Sequence, residues 1–240
     1  MKLGEIYRFL DTISPFETQE SWDNSGLQVG NFEDKIEQIC LCLDVDSKLL
    51  EQLPRHTLIV AHHPLIFKGI GLFDTKKYPS NLIATMIKKD ISMIAMHTNA
   101  DQSHLNRHVC QRVLGWEILE HEGFVCTCKF EGSFQDLALH VKSSLEIENL
   151  RVCDSGKSIK KVALTTGSGG SLIDEIRADC FLTGDIKYHT AMEALANGLS
   201  LMDIGHFESE RYFGDALMED LKNLPLKVIM SNSKNPFSYM

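Results

Sequence analysis

The sequence predicts an α/β fold: two similar, linked α/β lobes built on mainly parallel sheets. Three observations carry this. Short apolar runs such as TLIVA (57–61) and ISMIAM (91–96) alternate with helical patterns along the chain. A stretch of the first half recurs in the second at one constant offset, without a gap: Ile36 falls on Ile159, Ile39 on Val162, Leu41 on Leu164, Leu50 on Ile173, and His62 on Asp185. Finally, four polar clusters follow predicted strands at their carboxyl ends, the edge at which open parallel sheets bind ligands.

Taken in order, Leu3, Ile6, Leu10 and Ile13 have helical spacing, and Pro15 ends that helix. The turn-rich segment 21–30 reads as a loop. Residues 36–43 form a strand, a helix runs to Leu53, and 57–61 is an all-apolar strand suited to a sheet centre. Ser80 is placed to cap a helix through Ile87, and 91–96 is the next strand. Beyond residue 122 come a strand (GFVCTCKF), a helix (133–145), a short strand (151–153) and a strand at 161–166. The turn GSGGS then leads to a helix at 172–176, followed by a strand (178–183), a helix (190–196) and a strand (199–204). The expected lobes are residues 1–120 and 121–240.

With 240 residues, 43% hydrophobic and 24% charged, the chain suits a packed globular protein. Its formal net charge of −9 disfavours nucleic-acid binding. The amino terminus has no signal-peptide pattern and no run is apolar enough to span a membrane, so a cytoplasmic location is expected. The seven cysteines have no C-x-x-C spacing and read as reduced, partly buried residues.

The four polar clusters carry the chemistry. HHP presents His62 and His63, which Pro64 keeps at a strand end. HTNAD presents His97 and Asp101, whose two carboxylate oxygens suit it to bridging cations. His97 is a candidate ligand or proton carrier. In GHFESE, His206 and Glu210 share a helix face at i and i+4. Taken singly, each cluster has a simpler reading: surface histidines, a helix cap at Asp101, and a helical His206–Glu210 ion pair. Together they predict a site for two divalent metal ions held by His62, His63, Asp101, His206 and Glu210. Nitrogen and carboxylate donors suit Zn, Mn, Fe or Co. Gly169 in the GSGGS turn is a candidate anion contact, with a tight turn as the alternative.

WDNSGLQVG, AHHPLIF, HTNAD, GSGGSLI, TGDIKYH, GHFESE and the terminal NPF together resemble the YbgI-type proteins, the GTP cyclohydrolase 1 type 2 homologues, also called Ngg-interacting-factor-three-like. The resemblance spans essentially the whole chain. It implies two α/β lobes, a toroidal homohexamer, and a dinuclear metal site between the lobes on the same five residues. It also implies hydrolysis of GTP to dihydroneopterin triphosphate and formate. A mechanism on these residues would have His97 or another nearby group move protons, and backbone amides with Lys68 or Lys187 hold the triphosphate. GDIKYH stands where many relatives have GEIKHH, which alters Asp185 and Tyr188. Two other functions fit the same ligands: a dinuclear phosphatase or nucleotide hydrolase, and a non-catalytic metal-binding hexamer.

Overall fold

The computed structural model describes residues 1–238. They form two compact units. The first comprises residues 1–103 and 213–234, and the second residues 104–212 with 235–238. The division therefore falls earlier than the 120/121 boundary expected from the sequence. The carboxyl-terminal segment also returns to the first unit, so neither unit is one continuous half of the chain.

The first unit opens with α1 (Leu3–Ile13), followed by β1 (Gly26–Val29), β2 (Gln38–Cys42), α2 (Ser47–Gln52), β3 (Thr57–Ala61), α3 (Ser80–Lys88) and β4 (Ser92–Ala95). It closes with α9 (Phe213–Leu221) and β11 (Lys227–Met230). The sheet order is β1-β4-β3-β2-β11. All its pairings are parallel except that of the edge strand β1, which runs antiparallel to β4. β1 lies inside the segment expected to be a loop. Positive φ at Gly26 (114°) and Gly30 (121°) brackets it with two sharp turns, which is why its composition reads as turn.

β3 is buried at every residue, as its uninterrupted apolar sequence requires of a central parallel strand. One sheet face packs Cys40, Ile59 and Met93 against Leu49 and Leu50 of α2 and Leu82 and Met86 of α3. The opposite face, with Ile39, Leu41, Leu58 and Ile94, is equally buried. A Cβ on Gly214 would lie 3.0 Å from Met230 Sδ and 3.7 Å from Leu41 Cβ, so α9 runs close over β2 and β11. Asp46, not a residue of the helix, caps α2 by accepting from the Leu49 amide at 2.7 Å. Ser80 makes no cap bond; Pro79 occupies the cap position of α3.

A helical stretch follows β4: α4 (Thr98–Ala100) and α5 (Asn106–His108), each continued by a π-helical segment, Asp101–Leu105 and Val109–Val113. The boundary between the units falls within it. Neither α9 nor β11 was expected from the sequence; a helix after HTNAD was, through the alternative reading of Asp101 as a cap.

The second unit contains β5 (Ile118–Glu122), β6 (Val125–Gly132), α6 (Phe134–Ser144), β7 (Arg151–Cys153), β8 (Ile159–Leu164), β9 (Cys180–Thr183), α7 (Tyr188–Ala196), β10 (Ser200–Asp203) and α8 (His206–Glu210). The helix expected at 172–176 is a 3-10 helix, Gly170–Glu175. The sheet order is β5-β6-β8-β9-β10-β7. Only β8-β9 and β9-β10 pair in parallel; β5-β6, β6-β8 and β10-β7 are antiparallel. The expectation of mainly parallel sheets thus holds for the first unit and not for the second. Glu122 pairs with Val125, so a two-residue turn at Gly123 (φ 53°) and Phe124 folds β5 back on β6 as a local hairpin.

The internal repeat survives in the architecture. β2-β3-β4 and β8-β9-β10 are both parallel triplets in sequential order, each with helical crossovers. All seven cysteines are free thiols, and all but the half-buried Cys153 are buried. Burial pushes the Cys40 thiol up to about 11, consistent with an inert core residue. No helix among the described residues is long and apolar enough to cross a membrane.

Candidate metal centre

In the first unit, β3 delivers His62 and His63. The His62 amide donates to the Cys42 carbonyl and the His63 amide to that of Leu43, both at 3.1 Å, so the ladder runs two residues past the strand. The Met96 amide, bonded to the Ala61 carbonyl at 2.8 Å, holds β4 in register up to His97. One nitrogen from each of His62, His63 and His97 lies within 4.8 Å of the others. Asp101 Oδ1 stands 3.5 Å from His62 Nε2. Asp101 has helical backbone angles at the carboxyl end of α4, so it does not serve as the amino-terminal cap of a following helix. Asn99 is buried and donates to the Ser14 carbonyl (2.9 Å), tying this stretch to the end of α1 rather than bracing its own turn. Below His62 lies the buried Phe213 of α9, with ring centroids 5.0 Å apart.

Each of these histidines is held by its Nδ1. His62 Nδ1 bonds the Met96 carbonyl at 2.9 Å. His63 Nδ1 bonds Asp44 Oδ1, and His97 Nδ1 bonds Asp23 Oδ1, both at 2.8 Å. A carbonyl or an ionised carboxylate only accepts, so Nδ1 carries the proton and the ring presents its lone pair at Nε2. This is the arrangement that orients metal-binding imidazoles.

Asp23 is the most heavily committed of the supporting carboxylates; its side chain has no exposed surface. Burial alone raises its pKa. Hydrogen bonds from His97 and Thr98, the His97 charge and the Asn24 amide outweigh that effect and hold it well below the ordinary carboxylate range. Its second oxygen also accepts from the Thr98 amide (3.1 Å) and the Ser25 hydroxyl (3.0 Å). Ser25 in turn accepts from the His97 amide at 3.1 Å.

In the second unit, Gly205 (φ 73°) turns the chain out of β10 into α8, which carries His206 and Glu210 one turn apart. His206 Nε2 lies 2.9 Å from Glu210 Oε2. Ligand atoms on one ion at bonds of about 2.0–2.2 Å lie about 3 Å apart, so this spacing suits shared ligation as well as an ion pair. His206 Nδ1 bonds Asp185 Oδ2 at 2.8 Å, giving a fourth imidazole braced at the same atom. The buried Glu210 lies over the GSGGS turn, where a Cβ on Gly167 would come within 2.0 Å of its Oε1. The turn's amides point inward: that of Gly167 donates to Ser209 Oγ (3.0 Å) and that of Gly169 to Thr183 Oγ1 (2.7 Å). The Gly169 amide is thus taken up by Thr183 and is not presented to an anion. Lys68 and Lys187 are both exposed, the first in the loop after β3 and the second at the start of α7. Tyr188 is exposed beside His189.

Buried His, Asp and Glu side chains of this kind can hold a metal ion. The sequence reading did not find the braces Asp23 and Asp44. Asp44 carried a signal, since it follows β2 at the same sheet edge as HHP. Asp23 carried none, because it lies in a loop remote in sequence from His97. Asp185 had one too: it is the repeat equivalent of His62. It adopts φ 55°, a left-handed conformation that aspartate tolerates better than most residues. Replacing Asp185 with glycine relaxes that backbone and removes the His206 partner. The expected result is an unchanged or raised Tm with metal affinity roughly 10- to 100-fold weaker, read by metal retention during dialysis against a graded chelator. A variant that loses stability but keeps its metal would assign Asp185 to folding alone.

The profile of Duf34/NIF3 (NGG1p interacting factor 3) matches residues 1–236. A Campylobacter jejuni protein named GTP cyclohydrolase 1 type 2 homolog is 52% identical over 240 residues, covering 100% of both chains. A Helicobacter pylori protein named GTP cyclohydrolase 1 type 2 is 39% identical over 234 residues, covering 97% of this chain and 96% of its own. Among solved structures, a hypothetical protein from Staphylococcus aureus superposes with a TM-score of 0.88 at 26% identity, covering 100% of this chain and 99% of its own.

Proposed function

The chain belongs to the Duf34/NIF3 family, and from that premise we propose that it is a divalent-metal-dependent hydrolase acting on GTP. The products are dihydroneopterin triphosphate and formate, from GTP and one water. The observation that carries the reading is the common brace on four imidazoles. His62, His63, His97 and His206 are all fixed through Nδ1, three of them by aspartates, and all present Nε2. Surface histidines and isolated ion pairs need no such uniform support. The names of the Campylobacter and Helicobacter relatives supply the substrate.

In this reading the metal ligands are the five residues that the family resemblance implies: His62, His63 and Asp101, which lie in the first unit, and His206 and Glu210, which lie in the second. When bound, divalent ions supply Lewis acidity and a water of lowered pKa. The protein's own groups do the rest. Asp44, Asp185 and the Met96 carbonyl keep the ligand rings in one tautomer. His97 Nε2 would accept a proton from the attacking water and return it to the ring nitrogen that leaves C8, with Asp23 stabilising the imidazolium formed in between. Release of formate takes two such C–N hydrolyses, one at each imidazole nitrogen, and closure of the pterin ring returns one water, so the net demand is one. Lys68 and Lys187 offer positive charge to the triphosphate. The resemblance to the family further implies a ring of six chains, which corresponds to a particle about six times the 27.1 kDa of the chain in light scattering.

The test is GTP turnover by the metal-reconstituted protein, with formate, inorganic phosphate and pterin fluorescence followed together. Formate and pterin are expected in equal amounts. Glu210→Ala should lose metal and at least roughly 100-fold in rate. Phosphate without formate would move the chain to the phosphatases. Full metal occupancy with no product would leave a metal-binding protein.

A further inference from the structure

Two aromatic side chains beside the histidine cluster remain open to solvent. Trp22 is 57% exposed and Phe67 43% exposed. Their ring centroids lie 6.0 Å apart at a tilt of 51°. Each also meets the ring of His97 edge-on, Trp22 at 6.2 Å and Phe67 at 6.3 Å. All three side chains belong to the first unit.

The pair is held in place. Trp22 directly precedes Asp23, which is locked to His97 and Thr98. Phe67 directly follows Ile66, whose carbonyl accepts from Asn24 Nδ2 (2.5 Å) and whose amide donates to Gln28 Oε1 (3.0 Å). Gln28 Nε2 donates in turn to the Asn24 carbonyl at 2.7 Å. Two loops far apart in sequence are therefore stitched together on either side of the rings. Single exposed apolar residues are ordinary on a protein surface. A Trp–Phe pair fixed by a side-chain network and abutting a cluster of ligand-type histidines has a narrower use.

We infer that Trp22 and Phe67 form a stacking platform that receives a flat nitrogen heterocycle, a purine base, and sets it against His97. The inference deepens the hydrolase reading by naming how the chain grips its substrate. Both rings offer π-faces, and a stacked base gains about 1–3 kcal/mol per aromatic contact in comparable sites. Stacking recognises area and planarity, so the platform favours purines over pyrimidines and separates guanine from adenine only weakly.

The chain has two tryptophans, Trp22 and Trp116. In a Trp116→Phe background, Trp22 is the sole tryptophan and can be excited selectively over the tyrosines. Titration with guanosine, which lacks phosphates, should quench it, with adenosine close behind and uridine weaker. Ribose 5-phosphate, which lacks a base, should leave it unchanged. By equilibrium dialysis, Trp22→Ala and Phe67→Ala should each weaken guanosine binding roughly 5- to 100-fold, while Trp22→Phe retains most of it. Neither side chain belongs to the buried core, so these variants are expected to fold. Equal quenching by ribose 5-phosphate, no quenching by guanosine, or unchanged affinity in both alanine variants would overturn the platform. Trp22-dependent guanosine binding without formate from GTP would sink the hydrolase reading and keep the platform. Formate release with a KM indifferent to Trp22→Ala would do the reverse.

Discussion

Alanine at Gly167 is expected to strip metal from the centre while leaving every ligand in the sequence. Gly167 has φ 63°, where a side chain costs about 1 kcal/mol. The larger effect is steric: the added Cβ would lie 2.0 Å from Glu210 Oε1 and 3.0 Å from its Cδ. The carboxylate sits at the end of a flexible side chain, so it can swing away and the fold survives. What it cannot do is stay 2.9 Å from His206 Nε2. Expected are a stability loss of only about 1–2 kcal/mol, metal affinity at least roughly 10- to 100-fold weaker, and turnover lowered with it. Gly115→Ala is the matched control. Its φ is 69°, and nothing stands within 4 Å of the new Cβ. It bears the same backbone cost and should keep its metal. Equal metal loss in both variants would show that backbone strain, not displacement of Glu210, is the cause.

Asp23→Asn should combine the largest loss of turnover with a clear loss of stability. Asparagine has one acceptor oxygen where the carboxylate has two, and Asp23 accepts from His97, Thr98, Ser25 and Asn24. At least one buried donor is left unsatisfied, costing about 1–3 kcal/mol. His97 also loses the anion that fixes its tautomer, and in catalytic Asp–His pairs that loss lowers kcat by up to about 10⁴-fold. The pH dependence has a definite sign. The folded carboxyl is held below its unfolded value, so its contribution is fully present above about pH 4 and is lost as pH falls through lower values. Urea melts of the wild type and variant between about pH 3 and pH 7 should therefore converge on acidification. A stability gap that stays constant with pH would deny the carboxylate that role.

Much of this protein was legible without coordinates. Apolar runs of fixed length marked β2, β3, β4 and β8 to β10, because a buried parallel strand must be apolar on both faces whatever surrounds it. α1 was legible to the residue, since helical spacing and Pro15 are both local signals. The repeat pointed to a shared strand-and-crossover core in the two halves, and the clusters after the strands named the candidate ligands. His62, His63, Asp101, His206 and Glu210 were candidates on residue type and position alone.

The rest depended on tertiary contacts. β1 and β5 exist through their pairing with neighbouring strands, β5 on the β6 that GFVCTCKF already marked, and the turns that permit them look like loop in the sequence. The return of residues 213–234 to the first unit is decided by burial of Phe213 and by the free edge of β2, which no local pattern declares. Gly167 has its meaning only because Glu210 arrives above it from a distant helix. The braces Asp23, Asp44 and Asp185 likewise are ordinary loop carboxylates until folding brings each to an imidazole. Sequence records the intrinsic preferences of a residue, and these roles are set by what stands a few ångströms away.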